Sequence, residues 1–192
     1  MCTKKAFAND QLTPIHCACI NPNVKYLKTL LSITQDFNIS DRRGRRPVHY
    51  AAVCEGPTPL EYLISRVSPY DLDTAGNTPL HFACQAGRSI NVEILLNSAQ
   101  AKLEEENAFT ADSEIHNKFG LGAINKPNKS GKLPLHLAIS KNNYDCVKVL
   151  LKYGCNLEYP LPNSMGKITP LMYACRLGHF KLVKLLVENN AK

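Results

Sequence analysis

The clearest pattern along the chain is a short apolar run that returns four times: LKTLL at 27–31, VEILL at 92–96, VKVLL at 147–151 and VKLLV at 183–187. In each run apolar residues fill the first, fourth and fifth places, as Val92, Leu95 and Leu96 do, and on a helix these make one stripe along one face. Such a stripe must be buried, so each run predicts an amphipathic helix lying against a neighbour. A second kind of stretch recurs five times: TPIHCA from Thr13, RPVHYA from Arg46, TPLHFA from Thr78, LPLHLA from Leu133 and TPLMYA from Thr169. Threonine followed by proline starts a helix, because the hydroxyl can cap exposed N–H groups and proline stands where its missing donor costs nothing. Two residues before three of these starts lie Gly44, Gly76 and Gly131, closing DRRG, DTAG and NKSG and permitting the positive φ of a tight turn. The predicted unit is a turn followed by two helices.

The starts are separated by 33, 32, 55 and 36 residues, so the third spacing is one 33-residue period with 22 extra residues and the fourth is one period with three. One repeat therefore accounts for the chain, in five units over approximately 9–41, 42–73, 74–128, 129–164 and 165–192, with an insertion at 98–119 inside the third. With T-P-L-H-x-A as its marker and these turns and second-helix runs at fixed offsets, the chain resembles the ankyrin repeat family. The resemblance covers residues 1–192 and implies one all-α domain, a solenoid of stacked helix pairs with short β-turn hairpin fingers. At one helix diameter per unit the array is about 50 Å long.

Several positions depart from the pattern. Gln11 stands where the first unit's turn glycine belongs, Pro57 and Pro59 crowd the start of the second unit's outer helix, and Met172 replaces the histidine of the fifth. Terminal units of such arrays normally carry a polar outer face, and Leu182, Leu185 and Leu186 do not look capped. The expectation is a segment of a longer array, or an array whose ends a partner covers.

Composition narrows the setting without naming a function. No run of 18 apolar residues occurs, and the first fifteen residues lack the apolar stretch of a secretory signal, which points to the cytosol or nucleus. The eight cysteines are then expected to be reduced, and the sequons at Asn38 and Asn128 to be chance matches. A formal charge of +7 favours acidic partners in general.

The histidines and cysteines invite a chemical reading, since His81 stands three residues before Cys84. Yet His16, His49, His81 and His136 occupy one slot in four units, so their job is a repeated one. The resemblance implies that each links turn to helix and one unit to the next through hydrogen bonds. Spaced about 10 Å apart they could not share a metal ion, and the paired ligands of a zinc site are missing even around His16, Cys17 and Cys19. Cys/His catalysis lacks an orienting third group. Cys19, Cys84 and Cys175, each five residues after the marker proline, are expected to be small apolar fillers. No catalytic residue, metal ligand or cofactor fingerprint is identified, and no cofactor is expected.

In the family, fingers and inner helices form a concave face that binds proteins or peptides. Carried over position by position, this implies a surface of Arg42, Arg43 and Arg45, then Thr74, Asn77 and Gln85, then Lys129, Lys132 and Lys141, and finally Lys167 and Arg176. Eight of these eleven are basic, so the expected partner carries an acidic stretch, although charged turn tips are also the ordinary state of solvated loops. RRGRRP is a turn tip without interleaved exposed aromatics, which disfavours nucleic acid. Within the insertion, residues 97–121 hold five acidic and two basic side chains. The third outer helix is expected to run on to about Glu105 and to be followed by a loop, with two sharper alternatives: a strip folded over the basic face, or a motif around Phe109 and Ile115. The function expected is that of a monomeric, non-catalytic protein-interaction module with no segment inserted in a membrane. The alternative is the regulatory part of a larger enzyme or channel.

Overall fold

In the computed structural model, residues 11–107, 123–163 and 166–192 are described. They form five helix pairs stacked in chain order: α1 (Pro14–Ile20) with α2 (Val24–Thr34), α3 (Pro47–Val53) with α4 (Thr58–Ile64), and α5 (Pro79–Ala86) with α6 (Ser89–Asn107). Then come α7 (Pro134–Ser140) with α8 (Tyr144–Lys152), the hairpin β1 (Leu161–Asn163) and β2 (Gly166–Ile168), and α9 (Pro170–Arg176) with α10 (Phe180–Glu188). Inner helices pack on inner helices and outer on outer, each pair touching the next along the chain. The fold is the all-α ankyrin solenoid that the repeat implied.

Each inner helix starts at the marker proline, after a cap residue in extended conformation. Outer helices start one short loop later, and the one crowded by Pro57 and Pro59 is correspondingly short at seven residues. The stripes are buried as the spacing requires: Leu27, Leu31, Val92, Leu95, Val147, Leu150 and Leu186 all lie in the core. Gln11 keeps the left-handed backbone of the turn it replaces, with φ of 53°. The third outer helix extends to Asn107, slightly beyond the expected Glu105, and the Tyr70 hydroxyl braces it by donating to the Ala99 carbonyl at 3.0 Å. Phe109 and Ile115, with the loop and strip expected around them, lie outside the described residues.

The fingers are built by one repeated device. Asp41 Oδ1 accepts from the amides of Arg43 and Arg45 at 2.8 Å each, and Asp73 and Asn128 do the same two and four residues further along their own turns. Adjacent fingers are joined by backbone bonds, Thr74 N–H to the Arg43 carbonyl at 2.8 Å and Lys129 N–H to the Ala75 carbonyl at 2.9 Å. Gly76 is required here twice over, by its φ of 75° and because a Cβ would come within 3.1 Å of the Lys129 nitrogen. The fifth finger differs: it is an antiparallel hairpin pairing Leu161 with Ile168.

Two expectations about the last unit are corrected. Leu182, Leu185 and Leu186 are buried against the fourth unit and their own inner helix; the apolar side chains left exposed on the fifth unit are Met172, Leu177, Phe180 and Val187. Cys175 is exposed while Cys19 and Cys84 in the same slot are buried, because that slot is closed by the inner helix of the following unit and no described unit follows the fifth.

Candidate binding face

The histidine slot explains why the fingers hold their positions. In four units the imidazole Nδ1 accepts the amide of its own helix cap, from Thr13, Arg46, Thr78 and Leu133, at 3.0 to 3.1 Å. With Nδ1 occupied as an acceptor, the proton sits on Nε2, which points to the next finger. His16 Nε2 donates to the carbonyls of Ile39 and Arg45, His49 to Asp71 and His81 to Lys132, at 3.1 to 3.2 Å. One ring thus fixes a helix start and the following finger together. Burial holds all four histidines below the ordinary imidazole pKa, His81 and His136 at about 4, so they stay neutral.

That settles the chemistry of His81 and Cys84. Both ring nitrogens of His81 are already bonded, and burial pushes the Cys84 thiol well above its usual value, so neither group is poised as base or nucleophile. The thiols of Cys19, Cys146 and Cys155 are raised to about 12 for the same reason. Among the described residues no three His, Cys, Asp or Glu side chains gather as metal ligands.

The residues inferred for partner binding fall in two rows. Arg42, Arg43, Thr74, Lys129 and Lys167 are exposed on the fingers, while Gln85, Lys141 and Arg176 are exposed where the inner helices end. Lys132 is half-buried beside the carbonyl that receives His81. Two members of the set are held by the fingers themselves. Arg45 donates through Nε to Asp41 Oδ2 at 2.7 Å and lies 5.0 Å from the centre of the Tyr50 ring. The Asn77 amide donates to Asp73 Oδ2 at 3.1 Å, and its oxygen accepts from Asn128 at 2.8 Å. Burial alone would raise the pKa of Asp41, but hydrogen bonds from Tyr50 and Arg45 outweigh it and hold the carboxyl below its usual range.

Between the two rows lies a set that the basic pattern did not reveal. The residue after each histidine slot, Cys17, Tyr50, Phe82, Leu137 and, after Met172, Tyr173, forms a rail along the inner helices. Where it is aromatic it packs on the histidine of the preceding unit: Tyr50 on His16 at 5.0 Å, Phe82 on His49 at 5.6 Å, Tyr173 on His136 at 6.4 Å. The signal was its constant place in the repeat. Asparagines do comparable work at the far ends of the inner helices. Asn91 Nδ2 donates to the carbonyls of Ala51, Ala52 and Cys54, and Asn143 Nδ2 to those of Cys84 and Gln85.

The repeat is also matched in known proteins. The family described as Ankyrin repeats (3 copies) matches residues 108–192, and the single Ankyrin repeat matches 75–107. The chain is similar to the poly [ADP-ribose] polymerase tankyrase of Caenorhabditis elegans, at 33% identity over 98% of the chain. It is similar at 30% to an ankyrin repeat protein of fowlpox virus, over 84% of the chain and 96% of the viral protein. A third relative is the human transient receptor potential cation channel subfamily A member 1, at 26% identity over 94% of the chain. The chain spans only 8% of the tankyrase and 15% of the channel.

Proposed function

Because this chain belongs to the ankyrin repeat family, we propose that it is a non-catalytic module that binds an acidic segment of a protein or peptide along its fingers and inner helices. One observation carries the reading. The carboxylates in the finger turns, Asp41 and Asp73, face inward onto backbone amides, whereas Arg42, Arg43, Lys129 and Lys167 face outward and are exposed. The finger carboxylates are thus turned onto the backbone, while several of the exposed side chains beside them are basic. The exposed ends of the inner helices add Lys141 and Arg176 on the opposite side of the half-buried rail of Phe82, Leu137 and Tyr173. An acidic segment with a few apolar side chains matches this surface.

The test is affinity purification from a cell extract with the native chain and with the variant Arg42→Glu/Arg43→Glu/Lys129→Glu, followed by peptide mapping of what is retained. Partners with acidic segments that vanish with the variant, and whose binding weakens as salt is raised, support the proposal. The same proteins retained equally by both chains would overturn it.

The second reading, a regulatory array within a larger enzyme or channel, draws on the tankyrase and the cation channel, in which the matched stretch is a small fraction of the protein. Both readings leave chemistry outside these residues. No helix among the described residues is long and apolar enough to cross a membrane. We place the chain in the cytosol or nucleus, a reading supported by the five buried, unpaired cysteines among the described residues, and fractionation of cells expressing the tagged chain tests it.

A further inference from the structure

Successive units are also joined through their outer helices. Lys152 on α8 donates to Glu93 on α6 at 2.7 Å, tying the fourth unit to the third. Counted from the marker prolines, Glu93 stands 14 places after Pro79 and Lys152 stands 18 places after Pro134. Between the fourth and fifth units the same two slots hold Lys148 and Glu188, again of opposite charge. Between the second and third they hold Glu61 and Asn97, and Asn97 accepts from the Tyr153 hydroxyl instead. Between the first and second they hold Lys28 and Ser65, a cation and a hydroxyl where a negative charge would complete the pair.

The surroundings of Ser65 are cationic. It is exposed and caps the end of α4, and its Oγ accepts from the Arg66 guanidinium at 3.2 Å. Arg66 also donates to the Tyr62 carbonyl at 2.6 Å and lies 4.5 Å from the centre of the Tyr62 ring. Lys28 Nζ crosses from α2 to within 5.4 Å of the same ring centre. One ring thus gathers cations from two units, and neither cation has an ion pair among the described residues. Glu61, one turn before Ser65 on α4, is the carboxylate nearest in sequence, and the two cations outnumber it.

We propose that Ser65 is a phosphorylation site whose phosphate bridges Lys28 and Arg66, supplying between the first and second units the link that Glu93 and Lys152 make between the third and fourth. The phosphoryl donor is a nucleoside triphosphate held by a protein kinase. The Oγ–P bond forms as the bond from the terminal phosphorus to its bridging oxygen breaks; the hydroxyl proton passes to the kinase's base and the nucleoside diphosphate leaves. A serine phosphate brings a charge of about −1.5 to −2 and three acceptor oxygens, enough for both cations at once. The end of a helix ordinarily repels an anion through its last carbonyls, but here Arg66 already covers the Tyr62 carbonyl, and α4 has only seven residues. Ser68 is the neighbouring hydroxyl, and its Oγ already accepts the Tyr70 amide. The site lies on the outer helices and is independent of the finger surface.

Two measurements on the full chain test this. In the first, the chain is incubated with a nucleoside triphosphate and an extract of cells that express it, and phosphate is located by peptide mass spectrometry. Phosphate on Ser65, lost in Ser65→Ala, is expected; a chain left unmodified at Ser65, or modified at Ser68 alone, overturns the proposal. In the second, the chain made by synthesis with phosphate on Ser65 is titrated by phosphorus NMR, both folded and in denaturing urea. The second ionisation of the phosphate, ordinarily at about pH 6, is expected to fall lower in the folded chain. It is expected to return toward the unfolded value in Lys28→Gln and in Arg66→Gln, two exposed positions whose variants circular dichroism checks for folding. Equal values in the folded and unfolded chains, or a fall that survives Lys28→Gln, overturn the bridge.

Discussion

The interface between the third and fourth units and the one between the fourth and fifth use the same histidine slot and end differently. At the first, His81 holds the Thr78 amide with Nδ1 and reaches the Lys132 carbonyl with Nε2, and Asn143 caps the carbonyls of Cys84 and Gln85. At the second, His136 holds the Leu133 amide, but its buried Nε2 has no hydrogen-bond partner among the described residues, and neither has Nε2 of His179, which stands in the place of Asn143. The fingers also differ in length. Ile39 and Asp71, whose carbonyls accept from His16 and His49, each stand seven residues before their helix caps Arg46 and Thr78. The corresponding residue of the fifth unit is Tyr159, ten residues before Thr169, because its finger is a longer hairpin. The Tyr159 carbonyl influences the ring electrostatically yet falls outside hydrogen-bond geometry, and its ring lies edge-on to His136 at 6.3 Å. A repeat can therefore keep its packing while losing the polar link that aligns it.

Acid should produce the largest effect and tests what the two interfaces share. Folded pKa values of about 4 for His81 and His136 lie below 6.5 for the free ring, so the unfolded chain binds more protons between those limits. Stability is then fully present above about pH 6.5 and is lost as the pH falls toward 4, by up to about 1.4 kcal/mol per pH unit for each histidine. Denaturant midpoints measured across this range check the slope, and a flat profile would contradict neutral burial.

Next in size, Leu95→Ala removes a side chain only 2% exposed in the stripe that the third unit presents to its neighbours. It should cost ~2 to 5 kcal/mol in urea denaturation. The comparison itself is sharpened by truncating each histidine. His81→Ala strands both a cap amide and a carbonyl and should cost about 1 to 3 kcal/mol, whereas His136→Ala strands the amide alone and should cost less. Equal losses would mean that the longer fifth finger makes no energetic difference. Smallest of all, Lys132→Ala should stay within about 0.5 kcal/mol, because its side chain makes no ion pair among the described residues and its carbonyl remains in place for His81.

Much of this was legible in advance, since a helix start, a turn glycine and an i, i+3, i+4 stripe are local and repeat. Less legible was how deeply each basic residue sits in its finger. Arg45 looks like its neighbours in sequence, yet Asp41 and Tyr50 hold it, while Arg42 and Arg43 stay at the tip. The inner-helix rail was also missed, because its members differ in chemistry from unit to unit and share only a position.

By itself the sequence determined the period, the helix pairs, the face each pair buries and the histidine slot, because those follow from residues a few positions apart. Only the tertiary structure decided which histidine finds a carbonyl, which arginine is withdrawn into a finger, and which apolar side chains face outward on the first and fifth units. Such outcomes depend on groups brought together from neighbouring units, often 20 to 60 residues away along the chain. Three extra residues lengthen the fifth finger without disturbing the local pattern.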